Sequence, residues 1–258
     1  MPSPVVTFIV PLKSPQVSRN WSLVSALCCR TLNSILRQTC PDLKIILVCN
    51  EPPEQCPTDS RLEIVIDTFP VPQNRSEIFR DQKVKVKRGM LACQGFEQGY
   101  VMRMDADDFI HRELVSFVKK HTGVNGWYFN KGFVYQEGSR WIYLRNNFHY
   151  STASSHIVWL TEKDLPQSMN TPDNEYFVDL WQHLKLRKTC EEQGRTLQPM
   201  PFRAATYTIG HSESVMLHSL TKWRSVKKII WRAVSMRPVN SQHIENFGLI
   251  PINSDYSS

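Results

Sequence analysis

None of the seven cysteines, at positions 28, 29, 40, 49, 56, 93 and 190, stands in a CxxC pair. That absence excludes the common thiolate metal clips, and an odd cysteine set in a chain this long argues against a disulfide framework. Free, buried thiols in a reducing cytoplasm are the expectation. No stretch approaches the roughly 18 consecutive apolar residues of a membrane-spanning helix. The opening run Val5 to Val10 is short and lacks the basic flank of a signal peptide. No internal repeat and no compositionally simple segment interrupts the chain.

What is present suits one ordinary-to-large globular domain with a short appendage: 258 residues, 41% hydrophobic and 21% charged. Lysine and arginine outnumber aspartate and glutamate by 31 to 24, a net charge of +7, which favours anionic partners. Nearly all of that excess sits in "SLTKWRSVKKIIWRAVSMR", 219–237, where Lys222, Arg224, Lys227, Lys228, Arg232 and Arg237 alternate with Trp223, Ile229, Ile230 and Trp231. Two readings compete for 216–237: an interfacial helix on an anionic membrane, or a C-terminal helix docked on the domain. The remainder, to residue 258, is expected to fray.

Patterning predicts a layered α/β chain. "VVTFIVPLK" (5–13), "LKIILVCN" (43–50), "LEIVIDTF" (62–69) and "YVMRM" (100–104) read as buried strands. Helices are predicted over 20–39 and 81–99, with a loop at 70–80. Such alternation implies parallel pairing, with ligands beyond the carboxyl ends of the strands. Short aromatic strands between 123 and 161 predict an antiparallel addition. Thr171-Pro172 followed by acids predicts a helix over 171–194, and 200–214 reads as a last strand. Trp127, Tyr128, Trp141 and Tyr143 suit either a sugar-stacking surface or the core.

Three aspartates in "MDADD", 104–108, directly follow the fourth strand. A solvated loop would tolerate them. An EF-hand would not produce this pattern, since its loop positions six and twelve hold Ile110 and Ser116 here. A third reading is a Mg²⁺ or Mn²⁺ site, with carboxylates at i and i+2 and phosphate oxygens completing the shell.

"GYVMRMDADDFIHRELV" resembles the Asp-x-Asp region of GT-A fold glycosyltransferases, above all those of family 2. "FIVPLK", "LKIILVCNEP", "KVKRGMLACQ" and "YTIGHSESV" are similar, in order, to other segments of that family across residues 5–215. The resemblance implies a GT-A domain over 1–215, with a basic tail over 216–258. It also implies an inverting, metal-dependent transferase that moves a sugar from a UDP-, GDP- or dTDP-linked donor to a saccharide or lipid-linked acceptor. Asp105, Asp107 and His211 would hold Mn²⁺ or Mg²⁺. Asp108 is left to cap a helix predicted over 109–120. Pro11, Lys13, Asn50, Glu51, Lys83, Lys87 and Asp105 would line the donor site, with Asn50 or Glu51 replacing the aspartate that usually follows the second strand.

The family's Glu-Asp pair, which carries the general base, is missing. Asp173, at the predicted helix start, is the expected base, with Glu175 and Asp179 as alternates. Spacing puts Asp173 on the buried edge of that helix, where desolvation would raise its pKa. A cytoplasmic enzyme, peripheral at the inner membrane face through its tail, is the resulting expectation, with no nucleic-acid partner. Two rivals stand beside it. A sugar nucleotidyltransferase would want a glycine-rich loop after the first strand, and 11–20 has no glycine. A binding module for phosphorylated ligands or RNA would not place acids at the ligand edge.

Overall fold

Strand β1 (Val6–Pro11) is buried along its whole length, as a strand covered on both faces must be. The computed structural model describes residues 5–93, 98–214 and 234–250. Phe8 and Val10 face helix α1 (Trp21–Leu36) through Val24, Cys28 and Leu32, while Ile9 faces the opposite core with Val86 and Met90 of helix α2 (Arg75–Leu91). Alternate residues therefore serve opposite cores, each buried aliphatic side chain contributing about 1.5–3 kcal/mol. Gly89 lets α2 approach closely; a β-carbon there would lie 2.5 Å from Ile9 Cγ2.

The main sheet continues with β2 (Leu43–Cys49), β3 (Leu62–Ile66) and β4 (Gln98–Arg103). Three strands complete it: β6 (Gly126–Tyr128), β9 (His156–Thr161) and β10 (Gln198–Pro199). The order is β10-β6-β9-β4-β1-β2-β3, with β3, β2, β1 and β4 mutually parallel and β9 antiparallel to its neighbours. A second sheet joins β5 (Phe109–Ile110), β7 (Lys131–Gln136), β8 (Trp141–Asn146), β11 (Ala205–Ile209) and β12 (Met236–Pro238) in the order β12-β8-β7-β11-β5, antiparallel except for β7 with β11. The chain thus has the mixed α/β architecture implied by the resemblance: a mostly parallel central sheet between helices, with a smaller antiparallel part.

Several boundaries differ from the sequence expectation. Helix α2 starts at Arg75, inside the predicted loop, because Asn74 accepts from the Glu77 amide and Glu77 returns a bond to the Gln73 amide. Phe109–Ile110 is a strand, and helix α3 (Leu114–Lys120) begins after it; its Val115 amide is capped by the Gln38 side chain at the end of α1. The helix predicted from 171 starts at His183, as α4 (His183–Glu192). Upstream, Tyr176, Phe177 and Leu180 turn into the second core, and the Phe177 amide bonds the Asp164 carbonyl, so tertiary contacts override a good local helix signal.

The C-terminal stretch is not an appendage where it is described. Strand β12 pairs with β8, and helix α5 (Ser241–Phe247) carries Phe247 and the following Leu249 into a core with Phe109, Tyr135 and Ile142. Most of the basic segment 216–237 lies outside the described residues. Among the described residues no helix is long and apolar enough to cross a membrane. Trp127 and Tyr143 are core residues, while Trp141 is exposed.

Candidate functional site

The chain runs outward from β1 to β2 and β3, then returns to β4 on the other side of β1. That reversal is a topological switch point, where the two flanking loops diverge and leave a crevice. A cleft of about 500 Å³ opens there. Its floor is Pro11, Leu12 and Lys13 at the end of β1 and Asp105 to Asp107 after β4; α1, α2, the 151–153 turn, residues 182–184 and the 211–214 turn wall it in.

The three aspartates have three environments. Asp105 accepts from Arg103 at 2.8 Å, and its amide donates to Ser154 Oγ at 2.9 Å. Asp107 lies 3.0 Å from His211 Nε2, across the floor. Gly210, at φ 88°, turns the chain after β11 and brings His211 to this place; a β-carbon there would meet the Gln136 side chain at 2.8 Å. Asp108 is fully buried and caps no helix. Its Oδ1 accepts from the Thr208 amide at 2.9 Å and its Oδ2 lies 2.6 Å from the Thr152 hydroxyl. Burial, then the charges of Asp107 and Asp105, push the Asp108 pKa well above the usual carboxylate value. Burial and the same three acids raise the Tyr207 phenol, which lines the cleft as a neutral donor.

Asp105 and Asp107 keep partly exposed carboxylates on the cleft, and His211 Nδ1 is buried without a hydrogen bond. Among the described residues no three His, Cys, Asp or Glu side chains are arranged to hold a metal ion by themselves. A hard cation such as Mg²⁺ or Mn²⁺ placed beside these side chains would have to complete its shell with ligand oxygens.

Pro11 and Lys13 line the cleft, and Lys13 is paired with Glu213. Glu213 also accepts from the Arg19 and Asn20 amides at 2.9 and 2.7 Å, fastening the last turn of the site to the start of α1. Asn50 and Glu51 are not on the cleft; Asn50 bonds the Phe69 carbonyl and Glu51 accepts from Gln16. Lys83 and Lys87 occupy the wrong face of α2. Lys83 pairs with Asp173, and Lys87 donates to the Met169 and Thr171 carbonyls. The cleft face of that helix is Ile78, Asp81, Gln82 and Lys85. Here Lys85 and Asp81 form an ion pair at 2.9 Å with side chains 1% and 9% exposed. Burial lowers the Lys85 pKa and raises that of Asp81. The i, i+3, i+4 spacing of 78, 81, 82 and 85 was the sequence signal for this face.

None of the three acids expected to act as base lines the cleft. Asp173 is 56% exposed, and Lys83 lowers its pKa instead of burial raising it. Glu175 is exposed, and Asp179 bonds the Thr189 hydroxyl. The cleft instead presents His183, the first residue of α4, which sequence reasoning missed because α4 was expected to start earlier. No cysteine lines it, and burial pushes Cys29 and Cys49 up to about 11, so those thiols are protonated and unreactive at neutral pH.

No family model matches the chain, and no curated protein matches it. Among solved structures, a crystal structure of S. aureus TarS, residues 1–349, is similar over 79% of this chain and 60% of that one, at 13% identity and a TM-score of 0.44. The chain thus spans 60% of that structure's length. A likeness at that score and identity says nothing of substrate or reaction.

Proposed function

We propose that the cleft binds a nucleotide-diphospho-sugar and transfers its sugar, with inversion, to a hydroxyl of a saccharide or lipid-linked acceptor. One observation carries the reading: Asp107 and His211 meet 3.0 Å apart, with Asp105 on the same cleft, at the carboxyl ends of β4 and β11 and the switch point of a mostly parallel sheet. Asp105, Asp107 and His211 would hold Mn²⁺ or Mg²⁺, which when bound offsets the charge of the leaving diphosphate. The chain's own part is positional. Lys13, held by Glu213, brings a cation to the phosphate side, and Tyr207 offers a neutral hydroxyl. The base end of the donor meets Pro72, Ile78 and Phe79 on its faces and the Asp81–Lys85 pair at its edge. The Lys85 ammonium also sits 5.3 Å from the centroid of the Phe69 ring, in the loop after β3, so the pair is held in place at the edge of the cleft.

Calorimetry with UDP, GDP and dTDP, in Mn²⁺ and then in EDTA, tests this reading. At least one diphosphate is expected to bind in Mn²⁺ and to weaken by about 10-fold or more in EDTA. Equal affinity in EDTA would remove the metal from the proposal, and no binding of any nucleotide would remove the proposal itself. The double variant Asp81→Asn/Lys85→Met, which strips both charges together, is expected to weaken the bound nucleotide about 10-fold while leaving inorganic pyrophosphate unaffected. An equal loss for pyrophosphate would move the pair to the phosphate end.

A further inference from the structure

A cavity of about 180 Å³ lies beside the second sheet, lined from the end of β5, from β7, from the segment before β11 and from helix α5. It shares no lining residue with the cleft. Its walls are aromatic: Phe133 of β7, Phe202 before β11 and Phe247 of α5. Edge-to-face contacts set them in place. His111 meets Phe202 and Phe247 with centroids 5.2 Å apart in each case, and His243 meets Phe133 at 5.1 Å.

The polar side of this cavity is made of hydrogen-bond donors, and no acid lines it. Arg203 lies against Phe133, 5.4 Å from the ring centroid, and its Nη1 donates to the Gly132 and Arg145 carbonyls at 3.1 and 3.4 Å. Among the described residues its Nε and Nη2, the other edge of the guanidinium, have no partner, and Arg203 forms no ion pair. Glu245, on the same helix α5, is bonded to Arg112 at 2.7 Å. His111 Nδ1 accepts from the Glu113 amide at 3.2 Å, and His243 Nδ1 accepts from the Asn240 amide at 3.3 Å. Burial lowers the pKa of both rings, so each is neutral at pH 7 and carries its proton on Nε2. A partly buried cation without a counter-ion costs desolvation that a bound anion would offset.

We propose that this cavity binds one acidic monosaccharide unit, a hexuronate, with its carboxylate on the Nε–Nη2 edge of Arg203. That edge offers two parallel N–H groups in one plane, which two carboxylate oxygens match. The sugar ring packs against the phenylalanine walls. Its hydroxyls accept from the two imidazole Nε2–H groups and pair with the Gln242 and Asn246 amides, which also line the cavity. An aromatic carboxylate would fit the walls and the arginine but would leave those four groups unpaired. The assignment does not rest on the nucleotide-sugar reading of the cleft, and either can fail alone.

Calorimetry on the full chain in EDTA, which keeps metal-dependent binding in the cleft out of the measurement, tests it with D-glucuronate, D-glucose, benzoate and inorganic phosphate. Glucuronate is expected to bind with a Kd of about 1 mM, and each of the other three at least about 10-fold more weakly. Arg203→Lys keeps the charge and removes the fork, and is expected to weaken glucuronate about 10-fold. Gln242 is exposed, and Gln242→Leu leaves the Arg203 bonds to β7 and β8 untouched, so it guards against a folding defect; a loss of about 3-fold is expected. Glucose, benzoate or phosphate binding as tightly as glucuronate would overturn the acidic-sugar assignment. Wild type that does not bind glucuronate, or undiminished binding in both variants, would overturn the site itself.

Discussion

Asp107→Ala is expected to weaken Mn²⁺-dependent binding of nucleoside diphosphate by about 100-fold, the largest effect of any single exposed side chain on the cleft. The reason is geometric. Asp107 is the residue of the acidic turn that reaches across the floor, 3.0 Å from His211 on the turn after β11. Removing it takes away one carboxylate and leaves His211, whose Nδ1 is already without a partner, with none for Nε2 either. Asp105 is less exclusively committed to ligand, since Arg103 holds one of its oxygens. Asp105→Ala is accordingly expected to cost less. Calorimetry in Mn²⁺ and in EDTA separates the contributions: the Asp107 loss should vanish in EDTA, where wild type is weak as well. A loss of the same size in EDTA would mean that Asp107 acts through the fold and not through a cation.

Asp108 should respond in the opposite way to conservative and to truncating changes. Asp108→Ala leaves the Thr208 amide and the Thr152 hydroxyl without their buried partner and is expected to destabilise the protein by about 2–4 kcal/mol. Asp108→Asn should keep both bonds, because an amide accepts from the Thr208 N–H and donates to the threonine oxygen, as a protonated carboxyl does. The sign with pH follows from the raised pKa of the folded state. Between the unfolded value, about 3.9, and the higher folded value the native protein holds the extra proton, so wild-type stability falls as pH rises through that window. The asparagine has no such proton. Its stability relative to wild type should therefore increase with pH, measured by urea unfolding in EDTA from pH 4 upward. A constant difference across that range would show that Asp108 is ionised in the native state throughout.

Strand patterning carried much of the fold. Apolar runs such as Val6–Pro11 and Leu43–Cys49 are buried on both faces, and burial on both faces leaves no polar alternation to misread. Their parallel pairing followed from the helices between them, and with it the placing of the acidic turn at a strand end, where the cleft was found. The expected GT-A layout is compatible with this architecture. The resemblance implies Lys83 and Lys87 as basic residues of the helix beside the diphosphate; helical phase, which the sequence also contains, assigns the cleft to Asp81 and Lys85.

The sequence by itself determined the class of the fold and the position of the acids after β4, because these depend on local periodicity. Tertiary structure alone decided the rest. Helix α4 begins at His183, where the upstream apolar side chains had gone to a core formed by distant elements. Glu213 meets Lys13 and Asp107 meets His211 only because β11 returns beside β5 at the edge of the second sheet. Of three adjacent-looking aspartates, one is buried and two face the cleft, and that division depends on Thr152 and Thr208, 44 and 100 residues away along the chain. A carboxylate's charge is set by what surrounds it in space, and no local pattern encodes surroundings that far removed in sequence.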